Sequence, residues 1–546
     1  MKNLRLVSVL LSLVFAASIM SACVKQPDPS ADTTDFYEDT AVGDTVPADA
    51  QESEEDAQTT DNTEDTAEAP ADIVIEDDAL KAAILASLAT TDGNIGMREI
   101  DELDLSNCGL TDISGLADFD ALMFLDLSGN PDITDYSVLK EMDSLISLDL
   151  SGNKITDISF LSDLTELREL SLAGCVIADF TPIAKLTGLE SLNLTETEIK
   201  DLTVLAGLTD LISLNLSNNN IFDISALGEM GWIMELNLYA NNISDLSPLK
   251  NLIFLSRLNV RGNKVSDLSV LKSVDDIKYL DAGENPLSDI TPVSYLKDLR
   301  KLTLSKTDVS DLTPLSKLTA LSELDLSNTK VTNLAPLSGV ESIRVLDISS
   351  NDITDISVIA SIPKIAELHA HNNKISDLTP LKDLYVIEVI ELSSNKIENI
   401  DALLDLNSIT WLNLSSNAIT EIHALKNLNA LNYLDISFNN ITDVNDLIFV
   451  SELTELDAGN NQISDIRVIG KLAKLTYLSL NNNKITDVSA LAGLTELATL
   501  NLNSNDIVDI SDLAKLPALT ALYVRNNPIE DYTAVSGIAK VVGIPE

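Results

Sequence analysis

Residues 478–499 read LSLNNNKITDVSALAGLTELAT, and this stretch decides the fold. With Leu478 as offset zero, apolar side chains fall at offsets 0, 2, 7, 10, 13, 16 and 19: Leu478, Leu480, Ile485, Val488, Leu491, Leu494 and Leu497. Alternation over Leu478–Leu480 is the period of a strand with one face on a core. The later spacing of three fits a 3₁₀ turn, in which side chains at i and i+3 eclipse. One strand and one helical turn cannot bury their own apolar face. Stacked copies can, so the unit predicts one coil of a solenoid.

The next copy opens at Leu500, and earlier ones at Leu456, Leu434 and Leu412. Coils open at Leu103, Leu125 and Leu148 and then every 22 residues to Leu522, twenty in all. The one irregular step, from 125 to 148, carries an extra residue at Pro131-Asp132. Offset 5 is Asn in fifteen coils, Thr at Thr197, Thr307 and Thr329, and Cys at Cys108 and Cys175. A short polar side chain there predicts bonds to backbone groups left open where each strand bends. Offset 11 is mostly Ser or Thr, and Pro follows it at Pro182, Pro248, Pro292, Pro314, Pro336 and Pro380. That pair reads as an N-cap and first helical position, so a helical turn is expected to open at offset 12 on the convex side. Offset 9 is Asp in seventeen coils, with Asn333, Asn399 and Glu421 as exceptions. Two readings stand for it: a calcium ladder, or hydrogen bonding within a turn, which the Asn replacements favour.

The chain has 546 residues, and 86 acidic against 35 basic side chains give a net charge of −51. Such a surface repels phosphate backbones and argues against a nucleic-acid partner. Cys108 and Cys175 lie three coils apart, roughly 14 Å at the usual strand spacing, which is too far for a disulfide. No nucleophile–base pair, Gly-rich phosphate loop or paired-carboxylate cleft is visible, so neither catalysis nor a cofactor is expected.

At the N-terminus, Lys2 and Arg5 precede an apolar run from Leu6 to Met20, followed by Ser21-Ala22-Cys23. A charged start, a short apolar core and small residues read as an export signal over 1–22. Ile19-Met20-Ser21-Ala22-Cys23 resembles a bacterial lipoprotein signal, which implies lipid on Cys23 and attachment to a membrane. The alternative is an ordinary signal peptide with an incidental cysteine. Residues 23–72 are rich in Asp, Glu, Thr, Ala, Ser and Pro and read as a disordered acidic tether or, alternatively, a cation-binding tail. Over 73–102, Asp77 and Asp78 precede Leu80, Ile84 and Leu88 on one helical face, which predicts a helical cap over the open end of the core. Coils fill 103–532, and 533–546 is expected to end-cap them.

The consensus LxLxxNxIxDI(S/T)PLxxLxxLxx resembles the leucine-rich repeat in its 22-residue, internalin-type form. That resemblance covers 103–532, with 73–102 similar to the helical cap of the same type. It implies a right-handed solenoid arc with short parallel strands on its concave face and 3₁₀-like turns on its convex face. It also implies protein recognition through the concave face, with adhesion to a host or neighbouring cell. No LPxTG sorting motif is present, so attachment is expected to rest on Cys23.

If Leu at offsets 0 and 2 points inward, offsets −1, 1 and 3 face the concave surface, with offset 4 beside them. Two groups of residues depart from the small polar background of those columns. The first is Tyr239, Arg257, Arg261, Tyr279, Lys301 and Lys306, a basic and aromatic island. It suits an acidic or glycan partner, or its charges merely offset neighbouring acids. The second is His369, His371, Trp411, Tyr433, Phe438 and Tyr477, in which offset −1 supplies Trp411, Tyr433 and Tyr477 with Glu455 interrupting. Aromatic rows suit protein interfaces and also sugar rings, whereas singly scattered they are ordinary surface. Glu367, His369, His371, Asp347 and Glu391 raise the further option of a zinc site, a weak one because such sites need converging ligands. His423, at offset 11, is expected to replace the usual cap residue.

Overall fold

The computed structural model describes residues 75–88 and 100–543; Cys23, the export signal and the tether lie outside the described residues. Among the described residues are one α-helix, α1 (Asp78–Ser87), and twenty-one three-residue strands, β1 (Glu102–Asp104) to β21 (Lys540–Val542). The strands form one parallel sheet in chain order, leucine opposite leucine: Leu412 on β15 (Trp411–Asn413) faces Leu434 on β16 (Tyr433–Asp435). A 3₁₀ turn follows each of the first twenty strands.

The core is the predicted set of columns. In the coil opening at Leu412, residues Leu412, Leu414, Ile419, Ile422, Leu425, Leu428 and Leu431 are all buried. Each contributes roughly 1.5–3 kcal/mol by leaving water, but only when coils cover it on both sides. Offset 5 forms the expected ladder. Asn439 accepts from the Ile419 N–H at 3.0 Å in the preceding coil. Its amide donates to Leu414 O at 3.0 Å in that coil, and to Ile436 O and Ser437 O in its own. Cys175 takes the same place with a thiol that donates to Leu150 O at 3.2 Å. Cys108, in the first coil, has no preceding coil to serve and donates locally to Ser106 O. Both thiols are free.

The structure corrects the reading of the convex turn. The 3₁₀ segments open at offset 11 in most coils, as in Ser114–Asp118, and the Ser or Thr there does not cap them. Offset 9 does: in nineteen coils its Asp or Asn Oδ1 accepts the N–H of offset 11. A carboxylate two residues ahead satisfies the first open donor of so short a helix, and accepting that N–H holds Asp112 and Asp509 below the usual carboxylate range. His423 likewise is not a cap; it opens its turn and pairs with Asp401 at 2.8 Å.

Two features go beyond the sequence reading. Offset 4 is left-handed in every coil, with φ between 51° and 73°, although only Gly129, Gly152, Gly174 and Gly262 are glycines there. The stretch after the last coil supplies β21, which pairs with β20 (Ala521–Tyr523) in parallel, Val541 opposite Leu522. Lys540 comes only nineteen residues after Ala521, because a single residue, Ala539, separates Ile538 from the strand. At the other end Asp77 caps α1 through the Leu80 N–H at 2.7 Å, and Leu80 and Ile84 are buried against the first coil.

Candidate recognition surface

The strand pattern half-buried, buried, half-buried places offsets −1 and 1 on the concave face, side by side along the parallel register. The first group assembles around β8 (Arg257–Asn259), β9 (Tyr279–Asp281) and β10 (Lys301–Thr303). Its cations are all paired. Arg257 Nε lies 3.2 Å from Glu235, and its guanidinium sits 3.9 Å from the centre of the Tyr279 ring. Arg261 bonds Glu284 at 2.9 Å and approaches Asp281 at 3.9 Å. Lys306, at the left-handed offset 4, reaches the same Glu284 at 2.7 Å, and Lys301 reaches Glu323 at 3.0 Å. Tyr239 borders this network half-buried.

Asp281 in this network is buried, and that burial raises its carboxyl to about 6 despite the Gly283 N–H and Arg261 beside it. The folded state therefore holds a proton between about pH 4 and 6 that the unfolded chain has released. Stability from this group falls as pH rises through that window. Asn237 and Asn259 occupy the same offset and accept the same backbone N–H. Asp281→Asn is thus expected to stabilise the protein by up to roughly 3 kcal/mol at pH 7.5 and by about 1 kcal/mol at pH 4.5. Thermal unfolding at both pH values checks this; an equal change at the two would refute it.

In the second group Trp411 and Tyr433 stack with ring centres 4.7 Å apart and planes 6° from parallel. Next in the same column come Glu455 on β17 (Glu455–Asp457) and Tyr477 on β18 (Tyr477–Ser479). Burial, and then the carboxylates Asp435, Glu391, Asp457 and Glu455, push the Tyr433 hydroxyl up to about 12. Phe438 is exposed at the left-handed offset 4 with φ 53°. That conformation costs a residue with a Cβ about 1–2 kcal/mol. His369 lies 3.7 Å from Glu367, and the buried Nδ1 of His371 has no hydrogen-bond partner within the protein. Among the described residues no three His, Cys, Asp or Glu side chains converge as a metal site, so the histidine strand does not assemble the zinc cluster considered from sequence.

A third apolar feature was not read from the sequence. Trp232 and Phe254 stack at 5.2 Å on the flank of the solenoid, beside the exposed Ile253. They share offset 18 in adjacent coils, where small or charged residues are usual, and that departure was the available signal. No helix among the described residues is long and apolar enough to cross a membrane.

Family models describing leucine-rich repeats in two copies match residues 143–185, 297–339, 341–383 and 451–493, and further leucine-rich-repeat models match 428–444 and 473–529. No curated protein matches the chain. Among solved structures it is similar to internalin InlF of Listeria monocytogenes, at 28% identity over 80% of this chain and 99% of that one, with a TM-score of 0.41. It is 31% identical to internalin C2 of the same organism over 42% of this chain and 93% of that one, TM-score 0.34. The Arabidopsis receptor kinase HAESA, solved with the peptide hormone IDA and the co-receptor SERK1, shares 20% identity over 82% and 90% of the two chains, TM-score 0.55. The architecture is that of a protein-recognition module. With its 22-residue coil, asparagine ladder and parallel concave sheet, the chain belongs to the leucine-rich-repeat proteins.

Proposed function

We propose that this protein is held at a bacterial cell surface through lipid on Cys23 and binds a protein on a host or neighbouring cell with its concave face. The observation that carries the binding reading is the Trp411–Tyr433 stack, half-buried on the concave sheet and continued by Tyr477. Large, rigid aromatic side chains lose little entropy on docking and supply most of the contact energy at interfaces. The basic island is the weaker candidate, because each of its cations already has a carboxylate partner. A second reading, glycan binding, is favoured by one feature alone: the near-parallel Trp411 and Tyr433 rings could pack on sugar rings.

One experiment on producing cells tests both halves. Trp411→Ala with Tyr433→Ala is expected to leave the protein on the surface and to lower capture of target cells at least tenfold, with thermal unfolding unchanged. Cys23→Ala is expected to shift the protein into the medium. Undiminished capture by the double variant would remove the concave-face reading, and continued surface retention of the cysteine variant would remove the anchor. Retention on a glycan array with no protein partner would favour the second reading.

A further inference from the structure

The offset −1 column carries one arrangement twice, once complete and once lacking a component. On consecutive strands Glu235, Arg257, Tyr279, Lys301 and Glu323 alternate acid, cation and aromatic ring. Arg257 there lies over the Tyr279 face at 3.9 Å while Glu235 holds it at 3.2 Å. Further along, Trp411, Tyr433, Glu455 and Tyr477 supply rings and a carboxylate on consecutive strands. The cation is what differs. No Lys or Arg occupies offsets −1, 1, 3 or 4 of the five coils from Ile390 to Leu478. Those same columns hold Glu391, Asp435, Glu455 and Asp457. Glu391, Asp435 and Asp457 each accept one backbone N–H, which leaves their charge without a cationic partner among the described residues.

Tyr433 and Tyr477 stand two strands apart, about 9.6 Å at the usual spacing, with Glu455 between them. Two contacts of the Arg257–Tyr279 kind fit within that width. The effect of the surrounding carboxylates on the Tyr433 hydroxyl is a second sign of a negative local potential. Glu455 is then the anionic half of the site rather than a break in an aromatic row.

We propose that the partner docks through an extended, arginine-bearing segment, with a guanidinium inserted between Tyr433 and Tyr477 over Glu455 and Asp457. The inference rests on the concave-face reading above and specifies its partner chemistry. The general negative charge of the protein speeds encounter with any cation, so the test must separate site from field.

The full chain carrying Trp232→Phe keeps Trp411 as its sole tryptophan, a local reporter. The probe is an acetylated, amidated (Gly-Arg)4 peptide in 150 mM salt, compared with the same peptide carrying citrulline in place of arginine. A saturable change in Trp411 fluorescence is expected, with Kd at least tenfold weaker for the citrulline peptide. Glu455→Gln with Asp457→Asn should weaken the arginine peptide at least tenfold. Asp104→Asn with Asp126→Asn, an equal charge change on the first two strands, should alter it less than twofold. Equal losses from both acid pairs, equal binding of citrulline, or no Trp411 response each overturn the proposal. If Trp411→Ala with Tyr433→Ala still abolishes cell capture after such a result, the concave reading stands and only its basic partner is wrong. If capture is also unaffected, both fall.

Discussion

Asn439→Ala is expected to destabilise the protein by about 3 kcal/mol, as much as a typical single core truncation. The side chain is buried and serves four backbone groups in two coils. Its loss strands the Ile419 N–H where water does not reach, and leaves the carbonyls of Leu414 and Ile436 with one donor each, the amides of Asn417 and Asn461. A buried polar group left unmade costs about 1–3 kcal/mol, and relaxation of the bend recovers part of the sum. Threonine sets the comparison: Thr197 donates to Leu194 O and its N–H bonds Asn219, so it fills the same place with fewer contacts. Asn439→Thr is therefore expected to cost about half as much as alanine. Urea unfolding of the three proteins measures this, and a loss below 1 kcal/mol for alanine would show that the ladder is not a main constraint.

That ladder was legible because one column of fifteen asparagines has no role in the apolar core, and a strand bend always leaves backbone groups open. The strands, the 3₁₀ turns and α1 were legible for a similar reason: burial imposes spacing, and spacing is visible in letters. Convex capping was misread because Ser-Pro signals describe α-helices, whereas these segments span only three to five residues and take their cap from the Asp two places earlier. The left-handed offset 4 had its signal in four glycines and many asparagines, obscured by Phe438, Lys306 and Glu284. On the concave face, register alone put Trp411 beside Tyr433. It could not reveal that Arg257, Arg261, Lys301 and Lys306 turn toward carboxylates, because side-chain direction among several reachable acids is settled by packing. β21 was missed because its nineteen-residue step breaks the period that made the other strands visible.

Leu80→Ala with Ile84→Ala is expected to remove about 5 kcal/mol from the N-terminal end while leaving the middle of the solenoid unchanged. Both side chains are fully buried in the cap, and each such truncation costs about 2–5 kcal/mol, less than additively for neighbours. The contact is close: a Cβ on Gly115 would lie 3.0 Å from Leu80 Cδ2 and 3.2 Å from Ile75 Cγ2, so the first convex turn is shaped to receive α1. Without that cover Leu103, Leu110 and Leu116 meet water on one side, and the first coil loses the neighbour that makes its burial worthwhile. Coils interact only with their neighbours, so the loss should fade along the stack. Hydrogen exchange is expected to speed at least a hundredfold at Leu105 and Leu127, whose N–H groups bond Asp126 O and Asp149 O, and to stay unchanged at Leu414, bonded to Asp435 O. Binding through Trp411 and Tyr433 should then survive a frayed N-terminus. Equal acceleration at Leu414 would mean that the solenoid unfolds as one unit, and that the recognition surface depends on a helix fourteen coils away.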